Sequence, residues 1–297
     1  MVRSYGLRLR VICANVTRCA IMHAMTPMLT RKIPRTGEAL PAIGMGTWQT
    51  FDVPAKQRAA LVPVLSALLA AGGRVIDSSP MYGEAEDATG DVIARADAAG
   101  KPFLATKVWT NGEDAGKREM TRSLERLRIE QLDLMQIHNL LDWETHLPVL
   151  REWKQAGKIR YIGVTHYAQM AFDDLEHLMQ TEQLDFVQLP YNVLDREAEK
   201  RLLPAAADTG TAVLVMRPYA EGALFRRVKG KALPEWAAEI DCTSWAQLLL
   251  KFIIGHPAVT CPIPATSNAR HMADNLQGGF GRVPDETMRQ KIVKAVG

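Results

Sequence analysis

From Arg31 onward, short β-branched or apolar runs alternate with longer stretches whose apolar residues recur every three to four positions. This is the sequence form of repeated strand–helix units on a parallel sheet. A hairpin is expected over Arg31–Pro41, turning at Thr36-Gly37-Glu38. Strands are then expected at Ile43–Gly46, Arg74–Asp77, Phe103–Lys107, Leu132–His138, Ile159–Val164, Phe186–Leu189, Ala212–Met216 and Val259–Ile263. Helices are expected at Lys56–Ala71, stopped by Gly72-Gly73, at Arg118–Arg128, and at Trp143–Ala156, stopped by Gly157. Eight such units without a Pro/Gly/Ser-rich linker predict an α/β fold in which residues 31–297 form one (β/α)8 barrel, a TIM barrel preceded by the hairpin.

Composition narrows the class. The 297 residues are 47% hydrophobic and 23% charged, with a net charge of +3 spread over the chain. A large core and no nucleic-acid footprint are expected. No run approaches the roughly 20 apolar residues of a membrane span. Cys13, Cys19, Cys242 and Cys261 show no metal-ligand spacing, so reduced thiols in a cytoplasmic protein are the expectation, with no metal. Residues 1–30 read as an extension, disordered or produced by a start assigned too early, with Met22, Met25 or Met28 as alternative starts. Arg3, Arg8 and Arg10 before Val11–Ala14 resemble an export signal only weakly, because Asn15 and Arg18 interrupt the apolar run.

In a barrel of this kind the chemistry sits at the C-terminal ends of the strands. Three successive strands close on ionisable residues: Asp77, Lys107 and His138. Singly, each has a bland reading, as a helix cap, a snorkelling amine or a core imidazole. Together they aim an acid, an amine and an imidazole at one mouth. Tyr82 follows Asp77 by five residues, between Pro80 and Gly83, where a turn can fold the phenol over the strand end. A phenol with an ordinary pKa near 10 serves as a general acid–base best beside a cation that favours the phenolate, and Lys107, held by Asp77, is expected to supply it. Two other classes stay open: a Lys107 Schiff-base aldolase or lyase, and a binder of nicotinamide cofactor without turnover.

The motifs Gly44-Met45-Gly46-Thr47-Trp48, Ile76-Asp77-Ser78-Ser79-Pro80-Met81-Tyr82-Gly83, Thr106-Lys107-Val108-Trp109 and Gln136-Ile137-His138-Asn139 resemble those of the aldo-keto reductase family, over about Arg31 to Leu276. The resemblance implies reduction of a small carbonyl compound with NADPH, NADH being an alternative, and a catalytic set of Asp77, Tyr82, Lys107 and His138. It implies that Thr165, His166 and Gln188 bond the nicotinamide carboxamide and that Tyr191 stacks on the ring. Gly46, Thr47, Trp48, Met216, Arg217, Pro218, Ile263, Pro264, Ala265, Thr266, Ser267, Arg270, His271 and Asn275 complete the implied cofactor site, with Arg217 near the pyrophosphate and Asn275 at the adenine. His166 departs from the family's usual Asn, Ala265 from a frequent Lys, and Arg217-Pro218 from a frequent Tyr-Ser-Pro. No GxGxxG opens a helix after a strand, which excludes a Rossmann site. Trp48, Met81, Trp109, Tyr82 and His138 are the expected substrate pocket, joined by Tyr219. With only a short segment after Leu276, the pocket is expected to be open; substrate identity and oligomeric state are not legible.

Overall fold

A computed structural model describes residues 27–297. The readings made on residues 1–26, including the export signal, Cys13 and Cys19, lie outside the described residues. The last residues of the expected extension are already packed. Met28 is buried against Gly279, and the Leu29 N–H donates to the Gly279 carbonyl at 2.8 Å. The packed chain therefore includes Met28, and the boundary expected at Arg31 moves towards the N-terminus.

Strands β1 (Thr30–Lys32) and β2 (Ala39–Pro41) form the expected antiparallel hairpin, turning through Gly37 at φ +74°. Eight parallel strands follow in sequence order: β3 (Met45–Gly46), β4 (Val75–Asp77), β5 (Phe103–Val108), β6 (Leu132–His138), β7 (Ile159–Thr165), β8 (Phe186–Pro190), β9 (Ala212–Met216) and β10 (Cys261–Pro262). The seam between β10 and β3 closes the barrel: Gly44 N–H donates to the Pro262 carbonyl at 3.0 Å and Gly46 N–H to the Pro264 carbonyl at 3.2 Å. The two seam strands are shorter than the runs expected from sequence. Pro262 and Pro264 offer carbonyls to β3 but have no N–H to return, so half of that ladder cannot form.

Strand alternation sorts the side chains. Ile76, Leu104, Met135, Ile137, Ile162, Val164, Val187 and Val215 pack outward under the helices. Val75, Phe103, Leu134, Tyr161, Phe186, Leu214 and Cys261 point inward, where Ile33 and Leu40 of the hairpin region join them and floor the barrel. The same inward columns continue upward into Asp77, Lys107, Gln136, His138, Thr165 and Gln188, all buried polar residues. The apolar floor thus carries a polar layer at the C-terminal mouth.

The helices follow the periodicity with local adjustments. Lys56–Ala71 splits into a 3-10 segment, Ala55–Leu61, and a helix, Val62–Ala70, because Pro63 fits only the first helical turn. The helix expected at Arg118 starts at Glu113, where Gly112 at φ +86° turns the chain and Glu113 and Asp114 favour the helix N-terminus. Trp143–Gln155 is as expected. No helix among the described residues is long and apolar enough to cross a membrane.

The seam is the tight point of this architecture. A Cβ on Gly44 would lie 2.8 Å from Val75 Cβ and 3.1 Å from Cys261 Sγ. Gly44→Ala is expected to cost ~1–3 kcal/mol of unfolding free energy, read from urea denaturation. A variant as stable as the parent would show that the seam has slack.

Candidate active site

Asp77 at the end of β4 and Lys107 on β5 form an ion pair, Nζ to Oδ2 at 2.7 Å, with side chains only 3% and 1% exposed. Lys107 Nζ also donates to the Ser78 carbonyl at 2.6 Å. Gln136 Nε2 donates to Asp77 Oδ1 and Gln188 Nε2 to Asp77 Oδ2, each at 3.1 Å. Two charges buried without solvent are tolerable only when hydrogen-bonded in this way. Burial alone would push the Lys107 ammonium down, but Asp77 and Tyr82 more than offset it, leaving its pKa above the ordinary value.

Tyr82 reaches this pair from the turn after β4. Its N–H donates to the Ser79 carbonyl at 3.0 Å, and Gly83 at φ +62° lies against Asp52, whose carboxylate accepts the Glu84 N–H. The ring packs edge-on to His138 at 5.9 Å, and Lys107 Nζ lies 5.1 Å from its centroid. Burial raises the phenol above its ordinary pKa; Lys107 and Arg217 pull it down and Asp77 pushes it up, with a net rise. This corrects the expectation that the ammonium makes the phenol acidic in the resting site. Desolvation outweighs the cation, so Tyr82 stays protonated, and Lys107 is placed to stabilise the phenolate left after proton donation.

His138 ends β6 with Nδ1 3.0 Å from Ser79 Oγ. Burial, the Lys107 charge and then His166 pull its pKa down to about 3, so the imidazole is neutral near pH 7. In the tautomer in which Ser79 donates to Nδ1, Nε2 carries the ring hydrogen and can donate to an oxygen in the cavity.

The cavity above these groups has a volume of about 660 Å³. Of the expected residues, Gly46, Thr47, Trp48, Asp77, Met81, Tyr82, His138, Thr165, Gln188, Met216, Arg217, Pro218, Tyr219, Ile263 and Ala265 line it. Thr165 Oγ1 and Gln188 Oε1 are buried and have no hydrogen-bond partner. A hydroxyl and an amide carbonyl on neighbouring strand ends suit a primary carboxamide, which both donates and accepts. The residues present therefore fit a nicotinamide.

Other expectations are corrected. Tyr191 does not face the cavity: it is fully buried against Phe252 and His256, its hydroxyl bonded to Glu199 and Arg289, so it cannot stack on a ring there. Asn275 is buried and already accepts the Tyr219 hydroxyl hydrogen at 2.7 Å, so its adenine contact is not preformed. His166 is outside the lining; its Nδ1 accepts the Ala168 N–H and its ring stacks on Tyr167. Pro264 is buried, with its carbonyl spent on the seam. Trp109 is exposed beyond the lining residues, 6.2 Å from the His138 ring. Thr266 is buried, while Ser267, Arg270 and His271 are exposed around the start of the helix Ala269–Gln277.

Gln136 and Ser79, which hold Asp77 and His138, have roles that the sequence reading did not assign. A signal for Gln136 existed: it is a polar residue inside an apolar strand, two positions before His138 and so on the same face. Asn139, Tyr167, Glu221 and Phe225 also line the cavity, from loops whose path the sequence does not specify.

Lys107→Met should cost ~3–5 kcal/mol in urea denaturation, because it strands the buried Asp77 carboxylate; a loss below ~1 kcal/mol would contradict the buried pair. His138 couples stability to acid. The unfolded chain takes up this proton near the ordinary pKa of about 6.5, whereas folded His138 resists it down to about 3. Its contribution is present above pH ~6.5 and is lost as pH falls towards 3. His138→Gln should therefore flatten the fall in urea midpoint between pH 7 and 4; parallel profiles would refute the buried neutral imidazole.

Residues 42–291 match the Aldo/keto reductase family. An aldo-keto reductase of Bacillus subtilis, YhdN, is 30% identical over 226 residues, which cover 70% of this chain and just under two thirds, 66%, of that relative. The methylglyoxal reductase YeaE of Escherichia coli is 30% identical over 244 residues, 80% of this chain and 84% of that protein. The crystal structure of an aldo-keto reductase from Klebsiella pneumoniae in complex with NADPH superposes with a TM-score of 0.74 at 25% identity, covering 91% of this chain and 95% of the other. With the barrel, the cavity and these matches in agreement, the chain belongs to the aldo/keto reductase family and so to the NAD(P)H-dependent oxidoreductases.

Proposed function

We propose that the site reduces an aldehyde or ketone to an alcohol, with Tyr82 as the general acid. The observation that carries this reading is the meeting of the protonated Tyr82 phenol, the neutral His138 ring and the Lys107–Asp77 pair beside the unpartnered Thr165 and Gln188 atoms. When bound, NADPH supplies a hydride to the carbonyl carbon.

The protein's residues do the rest. Thr165 and Gln188 would hold the carboxamide of the nicotinamide. The His138 Nε2–H orients the carbonyl oxygen. As the C=O π bond opens, Tyr82 gives its proton to that oxygen, and the O–H pair left on Tyr82 is a phenolate facing Lys107. The ammonium, kept charged by Asp77, stabilises this anion until solvent returns the proton. Trp48 and Met81 wall the approach with apolar surface. The methylglyoxal reductase named among the relatives supports a small carbonyl compound as substrate. Ser267 and Arg270, exposed and close to Ala265 in the sequence, would offer a donor and a positive charge to a 2′-phosphate, which supports NADPH over NADH in the absence of the family's frequent Lys.

A Schiff base on Lys107 is disfavoured. Its amine is protonated, buried and spent on Asp77 and Ser78, so it has no free lone pair for a carbonyl.

Tyr82→Phe should keep the fold and NADPH binding, read by circular dichroism and tryptophan quenching, while kcat for aldehyde reduction falls ~10²-fold or more. Turnover equal to that of the parent would reject Tyr82 as the acid.

A further inference from the structure

Among the described residues that line the cavity, Arg217 is the one Lys or Arg. Its backbone is left-handed at φ +52°, and its carbonyl accepts Asn192 Nδ2 at 3.0 Å. The guanidinium lies over the Tyr167 ring at 4.9 Å, and Nε pairs with Glu221 Oε1 at 3.1 Å. Nη1 and Nη2 make no hydrogen bond among the described residues. Glu221 is half exposed and meets the guanidinium at Nε, without a hydrogen bond to either Nη.

The surroundings define what the fork would meet. Trp48, Met81 and Phe225 add apolar wall to the same cavity, and no other Lys or Arg among the described residues lines it. Arg217 lines the same cavity as Tyr82 and His138, so the guanidinium and the reacting groups share one chamber. A planar guanidinium with two free N–H groups matches a carboxylate bidentately, and the Tyr167 ring holds the plane before binding.

We propose that Arg217 is a specificity-determining residue that receives a carboxylate of the substrate, so that the site selects oxo acids, carbonyl compounds with a carboxylate a few bonds from the reacting carbon. This rests on the reductase reading and adds the substrate class. The competing occupant of the same fork is the cofactor pyrophosphate expected from sequence. The two anions cannot use it together, and the cavity that Arg217 shares with Tyr82 and His138 favours the substrate.

The test uses the full chain with NADP(H). Turnover is compared for 4-oxobutanoate and butanal, which differ in the carboxylate, and binding of unreactive succinate to the NADP⁺-loaded protein is read by tryptophan fluorescence. The ratio of kcat/KM for 4-oxobutanoate over butanal should fall by about 10-fold or more in Arg217→Gln, the size of a lost charge-assisted contact. Succinate binding should weaken in parallel. Glu221→Gln, which removes a competing carboxylate, should raise the ratio and tighten succinate binding. An unchanged ratio and unchanged succinate binding in Arg217→Gln would overturn the proposal. So would a weakened Kd for NADPH with the ratio intact, which would assign the fork to the pyrophosphate. If neither aldehyde is reduced, the reductase reading falls, and the succinate titration alone decides on Arg217: binding lost in Arg217→Gln supports the carboxylate site, and binding absent or unaltered refutes it.

Discussion

The site depends on one buried ion pair. Lys107 and Asp77 sit where the apolar filling of the barrel ends, and neither has water to stabilise its charge. Isolated, each would carry a desolvation penalty of several kcal/mol. The penalty is offset because Asp77 accepts from Lys107, Gln136 and Gln188, and Lys107 also donates to the Ser78 carbonyl. Holding these bonds fixes the ends of β4, β5, β6 and β8 relative to one another. The same bonds leave Gln188 Oε1 unpartnered at the cavity wall, so the network that neutralises the interior also leaves there the acceptor that we propose for the carboxamide.

That pair explains the opposite protonation behaviour of two neighbours. Tyr82 and His138 pack against each other, and burial penalises the charged form of both. For His138 the charged form is a cation, and the Lys107 ammonium adds to the penalty. For Tyr82 the charged form is an anion, and the same ammonium reduces the penalty. The result is a neutral hydrogen-bond donor beside a protonated acid whose conjugate base has a cation in place. One fixed charge prepares both, without any change in the fold.

The barrel seam limits how this layer can be built. Gly44 and Gly46 let β3 approach β10 closely enough for two N–H groups to reach the Pro262 and Pro264 carbonyls. A bulkier strand there would displace Gly46 and Thr47, and Thr47 Oγ1 is bonded to the Asp77 carbonyl and to Ser78. The strained segment that follows β9 is a different kind of feature. Arg217, Ala220 and Glu221 all have positive φ, and the loop is held by Asn192, Tyr167 and Asn275 rather than by a ladder. Strain of this kind, of order 1–3 kcal/mol per residue, persists where the surroundings over-determine it.

What the sequence determined by itself was whatever follows from periodicity and strand polarity. Eight apolar runs separated by amphipathic stretches specify the barrel, and the period of two along β4, β5 and β6 carries Asp77, Lys107 and His138 inward at the same end. The Tyr82 turn was legible because Pro80 and Gly83 restrict the backbone locally. Tertiary structure alone decided which way loop side chains face and how far burial shifts a charge. Tyr191 follows β8 directly, yet it is turned outward because Arg289 and Glu199, 98 and 8 residues away, bond its hydroxyl. Asn275 is taken by Tyr219 for the same reason: a distant partner wins the hydrogen bond. The direction of the Tyr82 shift was likewise out of reach, since it is the balance of a desolvation penalty against a Coulomb attraction, and both depend on distances that no spacing along a chain encodes.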